Sequence, residues 1–328
     1  MTVRNVRATD LAECLSLNPS AVGDQIVGRN RAIAVWEKLL ASPAFVGCVV
    51  ETAQPVRGSR IAAFGASVLV SSNFSDAEKA NPRPGLNARI IASVESESVV
   101  LTFGEIAIGN SRHGLDVAVL YGRIRQSVLS SEEIAEADLR MAERFFHGHG
   151  GYRLRRFLLE LADQEDIDHA QALASWRVWD RYENFHATNP GNGWNQDRAL
   201  ALIEVAEAHS VAASIASKLF VYHEPLLSLA RAEQELLLLT LEGHSDNDIA
   251  LRLRISLPAV KNRWMLVFHA FETTGIMPEL WQQDKNVGER RQRGPQKRHR
   301  VLEYLRLHPE ELRPRVIRQK TRLQEREG

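Results

Sequence analysis

Between residues 229 and 271 the apolar positions fall into three helical registers separated by two short polar breaks. In the first, Leu236, Leu237, Leu239 and Leu241 are set against Glu233 and Glu235, which predicts a helix over 230–242. Acids near its start complement the helix dipole. Gly243 ends it, because glycine just past a helix takes the left-handed conformation without steric cost. Ser245 is placed to cap a second helix, with Asp248 three residues on as the partner of a capping box. Ile249, Ala250 and Leu253 form that helix's apolar face. Ser256 caps a third, and Pro258 sits in the first turn, where a missing N–H costs nothing. Val260, Trp264, Val267, Phe268 and Phe271 then recur as one stripe.

Elsewhere the pattern changes character. Residues 3–6 read as a short strand, followed by a helix from about Asp10 and another over 29–40. The runs 45–52 and 61–71 are dense in β-branched and aromatic residues and predict strands, divided by a Pro and Gly turn at 55–58. Residues 72–88, with Pro82, Pro84 and Gly85, read as a loop, and 99–108 as a further strand. Helices are expected over 115–129, 132–146 and 153–161. After the turn-rich run 189–193, an alanine-rich stretch over 197–221 predicts a long linker helix. Residues 301–307 form a short helix candidate, bounded by Pro309. The organisation expected is an α+β domain over 1–188, a linker helix over 189–223, an all-α domain over 224–275 and a basic extension over 276–328.

Charge sharpens this division. The chain balances 41 Lys and Arg against 41 Asp and Glu, but from His244 onward 18 basic residues face 11 acidic ones. The positive excess therefore accompanies the three-helix segment, where phosphate neutralisation would use it. Lys261, Asn262 and Arg263 lie off the buried stripe, and these residue types meet phosphates and base edges. Beyond residue 275, Lys285, Arg290, Arg291, Arg293, Lys297, Arg298 and Arg300 suit either a phosphate-contacting arm or a solvated loop. Cys14 and Cys48 imply no disulfide framework, no run is long enough for a membrane span, and a cytoplasmic protein is expected. His147 and His149 flank a single glycine and predict a polar turn; no metal is expected. Trp176, Trp179 and Tyr182 are read as core or interface anchors.

The gapless run containing Leu229, Glu233, Glu235, Gly243, Ser245, Ile249, Ala250, Leu253, Ile255, Ser256, Val260, Lys261 and Asn262 resembles the LuxR-type helix-turn-helix family. The resemblance implies a four-helix module that binds double-stranded DNA, usually as a homodimer, and regulates transcription. Ser256, Lys261, Asn262 and Arg263 would be its DNA-binding positions. Gly243, Ser245, Ile249, Ala250, Leu253, Ile255 and Val260 would be its structural ones. Ala232, Arg254, Ala259 and Arg263 depart from the family's usual residues, and Arg254 stands where the family has glycine.

The N-terminal order of a short strand, two helices, three strands and a helix, with the opening VRATDLAECLSLNP, resembles a GNAT-type acyltransferase; a PAS- or GAF-like sheet is the alternative. Such acyltransferases cradle pyrophosphate with Gln/Arg-x-x-Gly-x-Gly/Ala between the fourth strand and a helix. The place taken to correspond, 109–116, has one residue rather than two between Arg112 and Gly114, and adds Asp116. No acetyl-CoA site is expected there. The leading expectation is thus a one-component, DNA-binding transcriptional regulator with a sensory or dimerisation domain for an unknown effector. It would be no enzyme and need no cofactor. The alternative is a GNAT-type acyltransferase with an accessory helical domain.

Overall fold

Two long runs of alternating and β-branched residues, 45–56 and 59–70, meet at a turn through left-handed Gly58 and form the antiparallel centre of a sheet. The computed structural model describes residues 1–17, 29–56, 58–96, 99–174, 176–189, 197–205, 215–276 and 294–316. It divides into two units, Met1–Val221 and Tyr222–Gly328.

The first unit is mixed α+β. Its strands are β1 (Thr2–Asn5), β2 (Phe45–Val56), β3 (Ser59–Val70), β4 (Leu115–Ile124), β5 (Leu154–Leu161), β6 (Arg177–Asp180) and β7 (Ala199–Glu204). They form one seven-stranded sheet in the order β1-β2-β3-β4-β5-β7-β6. All neighbours are antiparallel except β4 and β5, which run parallel. A parallel neighbour requires a crossover, and α6 (Ser131–His149) supplies it. The helices α1 (Leu11–Ser16) and α2 (Arg29–Ala41) precede β2. Three helices, α3 (Ser72–Ala80), α4 (Leu86–Ser93) and α5 (Phe103–Ser111), are inserted between β3 and β4. Helices α7 (Gln164–Ala174) and α8 (Glu183–Thr188) follow β5 and β6. The core joins Phe64, Tyr121 and Phe157 of the sheet's central strands with Leu11, Trp36, Leu86, Ile90 and Ile106 from the helices.

The second unit is helical among the described residues: α9 (Arg231–Leu241), α10 (Asp246–Leu253), α11 (Leu257–Thr274) and α12 (Gly294–Leu307). Leu236, Leu237, Ile249, Val260, Trp264, Val267 and Phe271 are buried together with Val301 and Leu305 of α12. The Ser245 and Ser256 hydroxyls accept N–H bonds from Asp248 and Ala259, as their spacing predicts. The Glu311 carboxylate accepts the N–H groups of Leu226 and Leu227, which ties the described end of this unit to its beginning.

Several expected elements are corrected. Residues 115–124 and 154–161 are strands, not helices. In β5 a bulge explains the misreading: Leu115 faces Leu154 but Asp116 faces Arg156, so Arg155 is an extra residue that breaks the alternation. Both Arg155 and Arg156 then bond Asp76 of α3. Residues 103–111 form a helix rather than a strand over 99–108; Thr102 and Glu105 make a reciprocal capping box there, a Thr-x-x-Glu signal. Most of 72–88 is helical, with Ser71 as the cap of α3. The expected linker helix is instead strand β7 and, over Ile215–Phe220, a 3₁₀ segment; 206–214 lies outside the described residues. Ala199 to Ile203 are individually good helix formers, but all are buried between β5 and β6, and tertiary context overrides propensity. The basic residues Lys297, Arg298 and Arg300 lie on α12, which contributes to the second unit's core; Lys285, Arg290, Arg291 and Arg293 lie outside the described residues. No helix among the described residues is long and apolar enough to cross a membrane.

Candidate functional site

Strands β4 and β5 pair from Leu115–Leu154 to Val119–Leu159 and then part. Beyond that point β4 is held only by β3, through Tyr121, Gly122, Arg123 and Ile124, and β5 only by β7, through Glu160 and Leu161. Leu120 and Glu160 are therefore the first facing positions with no bond to each other. The start of α4 reaches both. Its N-cap, Gly85, takes φ 89°, a conformation that favours glycine, and donates its N–H to Glu160 Oε1 at 2.6 Å. Two residues on, Asn87 Nδ2 donates to the Leu120 carbonyl at 2.8 Å. Leu86 and Ile90 of the same helix are fully buried, which fixes this placement.

Two polar atoms in this part of the first unit are buried without a partner among the described residues. Asn87 Oδ1 is buried without a hydrogen-bond partner among the described residues. So is the hydroxyl of Tyr182, a residue only 1% exposed. Tyr182 is also held at φ 58°, left-handed for a bulky side chain, by the Asp180 carboxylate accepting its N–H and by His186 N–H bonding its carbonyl. A strained backbone carrying an orphaned buried hydroxyl is the combination that native structures keep for a purpose. Burial first, and then the Glu160 carboxylate, push the phenol far above its ordinary value of 10, with Arg89 and Arg198 opposing. Tyr182 is thus a neutral hydrogen-bond donor at any working pH. Glu160, itself buried, lies 3.4 Å from the Arg198 guanidinium, and Glu78 is chelated by Arg89, so the charges around the opening are paired. Sequence reasoning placed Tyr182 among core or interface anchors and Asn87 within a loop over 72–88. The usable signals were Asp180 two residues before Tyr182, an Asx-turn spacing, and Pro84-Gly85 as a helix start.

The turn after β4 is where a GNAT-type fold would cradle pyrophosphate. Residues 109–116 are not that place: they close α5 and open β4. The actual turn, 125–130, reads RQSVLS and contains no glycine. Several of its donors are used internally. Ser130 N–H and hydroxyl both bond Glu133 Oε2, Glu133 N–H returns to Ser130, and Glu132 adds a second acid to the first turn of α6. The nearby cations are committed too, Arg125 to Glu13 and Arg123 bidentately to Asp166. A helix start attracts phosphate through free N–H groups and its dipole; here a carboxylate already occupies that position. A glycine-free turn with the Glu133 carboxylate at the helix start departs from such a cradle.

In the second unit Lys261 and Asn262 are exposed in the leading half of α11, behind the Ser256 cap. Arg263 is half-buried, and its guanidinium donates to the Ala232 carbonyl at 3.2 Å, which directs it toward α9. Gly243 is left-handed at φ 89°, and so is Arg254 at φ 53°, despite its side chain. Ile249 and Val260 are fully buried; Ala250, Leu253 and Ile255 pack at the edge of the same core. Of the remaining candidates, His149 is buried with its ring nitrogens against the Ser67 hydroxyl and the Phe145 carbonyl. Trp179 donates to the Lys79 carbonyl, and the Lys79 ammonium sits 4.6 Å from its ring centre.

No family profile and no curated protein matches the chain. Among solved structures it is similar to that of Arabidopsis thaliana NAA60 in complex with acetyl-CoA, with 16% identity over 62% of this chain and 98% of that one, at a TM-score of 0.38. It is also similar to FeeM, an N-acyl amino acid synthase from uncultured soil microbes, with 10% identity over 63% of this chain and 97% of that one, at a TM-score of 0.34. The expectation that the chain is no enzyme is corrected by this comparison, since one of these proteins is a synthase and the other holds an acyl thioester. At such scores the likeness carries no residue-level correspondence.

Proposed function

We propose that the first unit is an acyltransferase of the GNAT type. The observation that carries this reading is the parting of the parallel β4–β5 pair. Beyond Val119 the inner edge of β4 is left without a strand partner, and Asn87, which bonds the Leu120 carbonyl there, keeps its Oδ1 without a partner among the described residues. An extended ligand with amide groups would pair with that edge without demanding a counter-charge, because Glu160, Glu78, Arg89 and Arg198 are already paired. The element order supports the same reading: a strand, two helices and two strands, then, after three inserted helices, β4, the crossover helix and β5. The test is release of free thiol from acetyl and longer acyl thioesters by the full chain, across a panel of primary amines. Absence of thiol release above the uncatalysed rate with every pair would sink the proposal.

For the second unit we propose binding of duplex DNA as a homodimer, in response to an effector still to be identified. What favours it is local geometry. The Ser245 box, the left-handed Arg254 and the Ser256 cap fix the turn between α10 and α11, and Lys261 and Asn262 are exposed just beyond. Fluorescence anisotropy against a random duplex pool should show binding that weakens steeply with salt. The variant pair Lys261→Ala and Asn262→Ala should reduce it at unchanged thermal stability, and undiminished binding by that pair would reject the site.

A further inference from the structure

The outward side of α11 carries two large apolar side chains beside its polar leading turns. Val260, Trp264, Val267 and Phe271 turn inward and are buried. On the opposite side Pro258, Lys261, Asn262, Met265, Leu266 and His269 are exposed. Four-residue spacing sets Met265 one turn beyond Lys261, and Leu266 one turn beyond Asn262. Met265 is 66% exposed and Leu266 48%, so the unit's own core leaves both unused. Arg263, bonded to the Ala232 carbonyl, is drawn off this side. No carboxylate stands between Leu257 and Phe271, so nothing in the first turns of the helix repels a polyanion. A stable protein interface covers about 800 Å² per partner, and two side chains fall far short of that.

We propose that α11 reads a half-site containing A·T pairs, in which Asn262 pairs with an adenine edge and Met265 and Leu266 meet thymine 5-methyl groups. This rests on the DNA-binding reading of the second unit. In the major groove a carboxamide matches the N7 acceptor and the N6 donor of adenine together, and the thymine methyl is the apolar feature that a base pair presents there. Met265 and Leu266 lie about 4.5 and about 6 Å along the helix axis from Asn262. A base step is about 3.4 Å. The methyl groups therefore belong between one and two steps from the adenine. Lys261, at the flank of the same stripe, supplies charge without adding a second sequence requirement.

The test begins with selection of bound duplexes from a random pool by the full chain. The sites recovered should hold an adenine with thymine one or two steps away. Fluorescence anisotropy then compares a recovered duplex with the same duplex carrying deoxyuridine for thymine, which removes only the 5-methyl groups. Each contacted methyl should be worth about fourfold in affinity. The double variant Met265→Ala and Leu266→Ala should bind both duplexes alike, as weakly as the unaltered chain binds the uracil one. Asn262→Ala should relax the preference for adenine by about tenfold. Equal binding of thymine and uracil duplexes by the unaltered chain would overturn the inference and leave DNA binding standing. Discrimination that survives in the double variant would overturn the assignment of Met265 and Leu266. A dimer that the double variant dissociates in sedimentation, with thymine preference unchanged, would make this side a protein contact and overturn the inference as well. Recovery of no duplex at low salt would instead remove the DNA-binding reading on which the inference rests.

Discussion

Replacing Tyr182 by Phe should stabilise the first unit. The substitution keeps the ring, its burial and the left-handed backbone at φ 58°, so the hydroxyl is the only change. That hydroxyl is enclosed without a partner among the described residues. An enclosed polar group left unsatisfied costs about 1–3 kcal/mol, and removing it recovers part of that cost. Taking the lower end, to allow for local relaxation, the gain is about 1 kcal/mol. For a unit the size of Met1–Val221 this raises the thermal midpoint by about 2–4 °C. The pH dependence gives a second signature. The folded phenol titrates above its unfolded value, so the folded chain retains a proton that the unfolded chain loses as pH rises past about 10. Wild-type stability should fall above that pH, and the decline should be smaller in the variant. Urea unfolding at neutral and alkaline pH, compared at unchanged m, reads both effects. A variant less stable by about 1 kcal/mol would mean that the hydroxyl has a partner in the folded protein, and the orphaned-donor argument would fail.

Three other predictions follow from local geometry. Arg254→Gly should stabilise the second unit by about 1 kcal/mol, because it relieves a left-handed non-glycine at φ 53°; an unchanged urea midpoint would count against strain there. Gly148→Ala in α6 would place a Cβ 2.5 Å from Val46 Cγ1 of β2, so a substitution that ordinarily favours a helix should instead destabilise by about 1–3 kcal/mol in thermal melts. Acid should weaken the first unit: burial would raise the carboxyls of Asp10, Asp76, Asp166 and Glu204, but bonds from Arg4, Arg155 and Arg156, Arg123, and Lys79 with Arg156 outweigh it and hold each below its ordinary value. That stability is present above the unfolded values near 4 and is lost as pH falls through the lowered folded ones; Asp166→Asn should flatten the acid limb of a stability–pH curve.

The first three helices of the second unit could be read from the chain because the signals there are local, whereas α12, Gly294–Leu307, was expected only over 301–307. Ser245 lies three residues from Asp248, Ser256 three from Ala259, Gly243 follows a helix, and one stripe recurs at 3.6-residue spacing; each feature acts within one or two turns. The position of Arg254 was legible too, since the strain there belongs to one residue. In the first unit β2 and β3 were recognisable over 45–52 and 61–71 from β-branched and aromatic residues, though the strands extend to 56 and begin at 59.

What escaped were the features set by neighbours distant in the chain. Ala199 to Ile203 become a strand because β5 and β6 lie on either side of them, and Arg155 turns β5 out of phase because β4 requires a bulge. The opening beside Leu120 and Glu160 exists only because β3 and β7 draw two strands apart. Asn87 and Tyr182 acquire chemical meaning through enclosure, and enclosure is a property of three-dimensional packing that no spacing along the chain encodes.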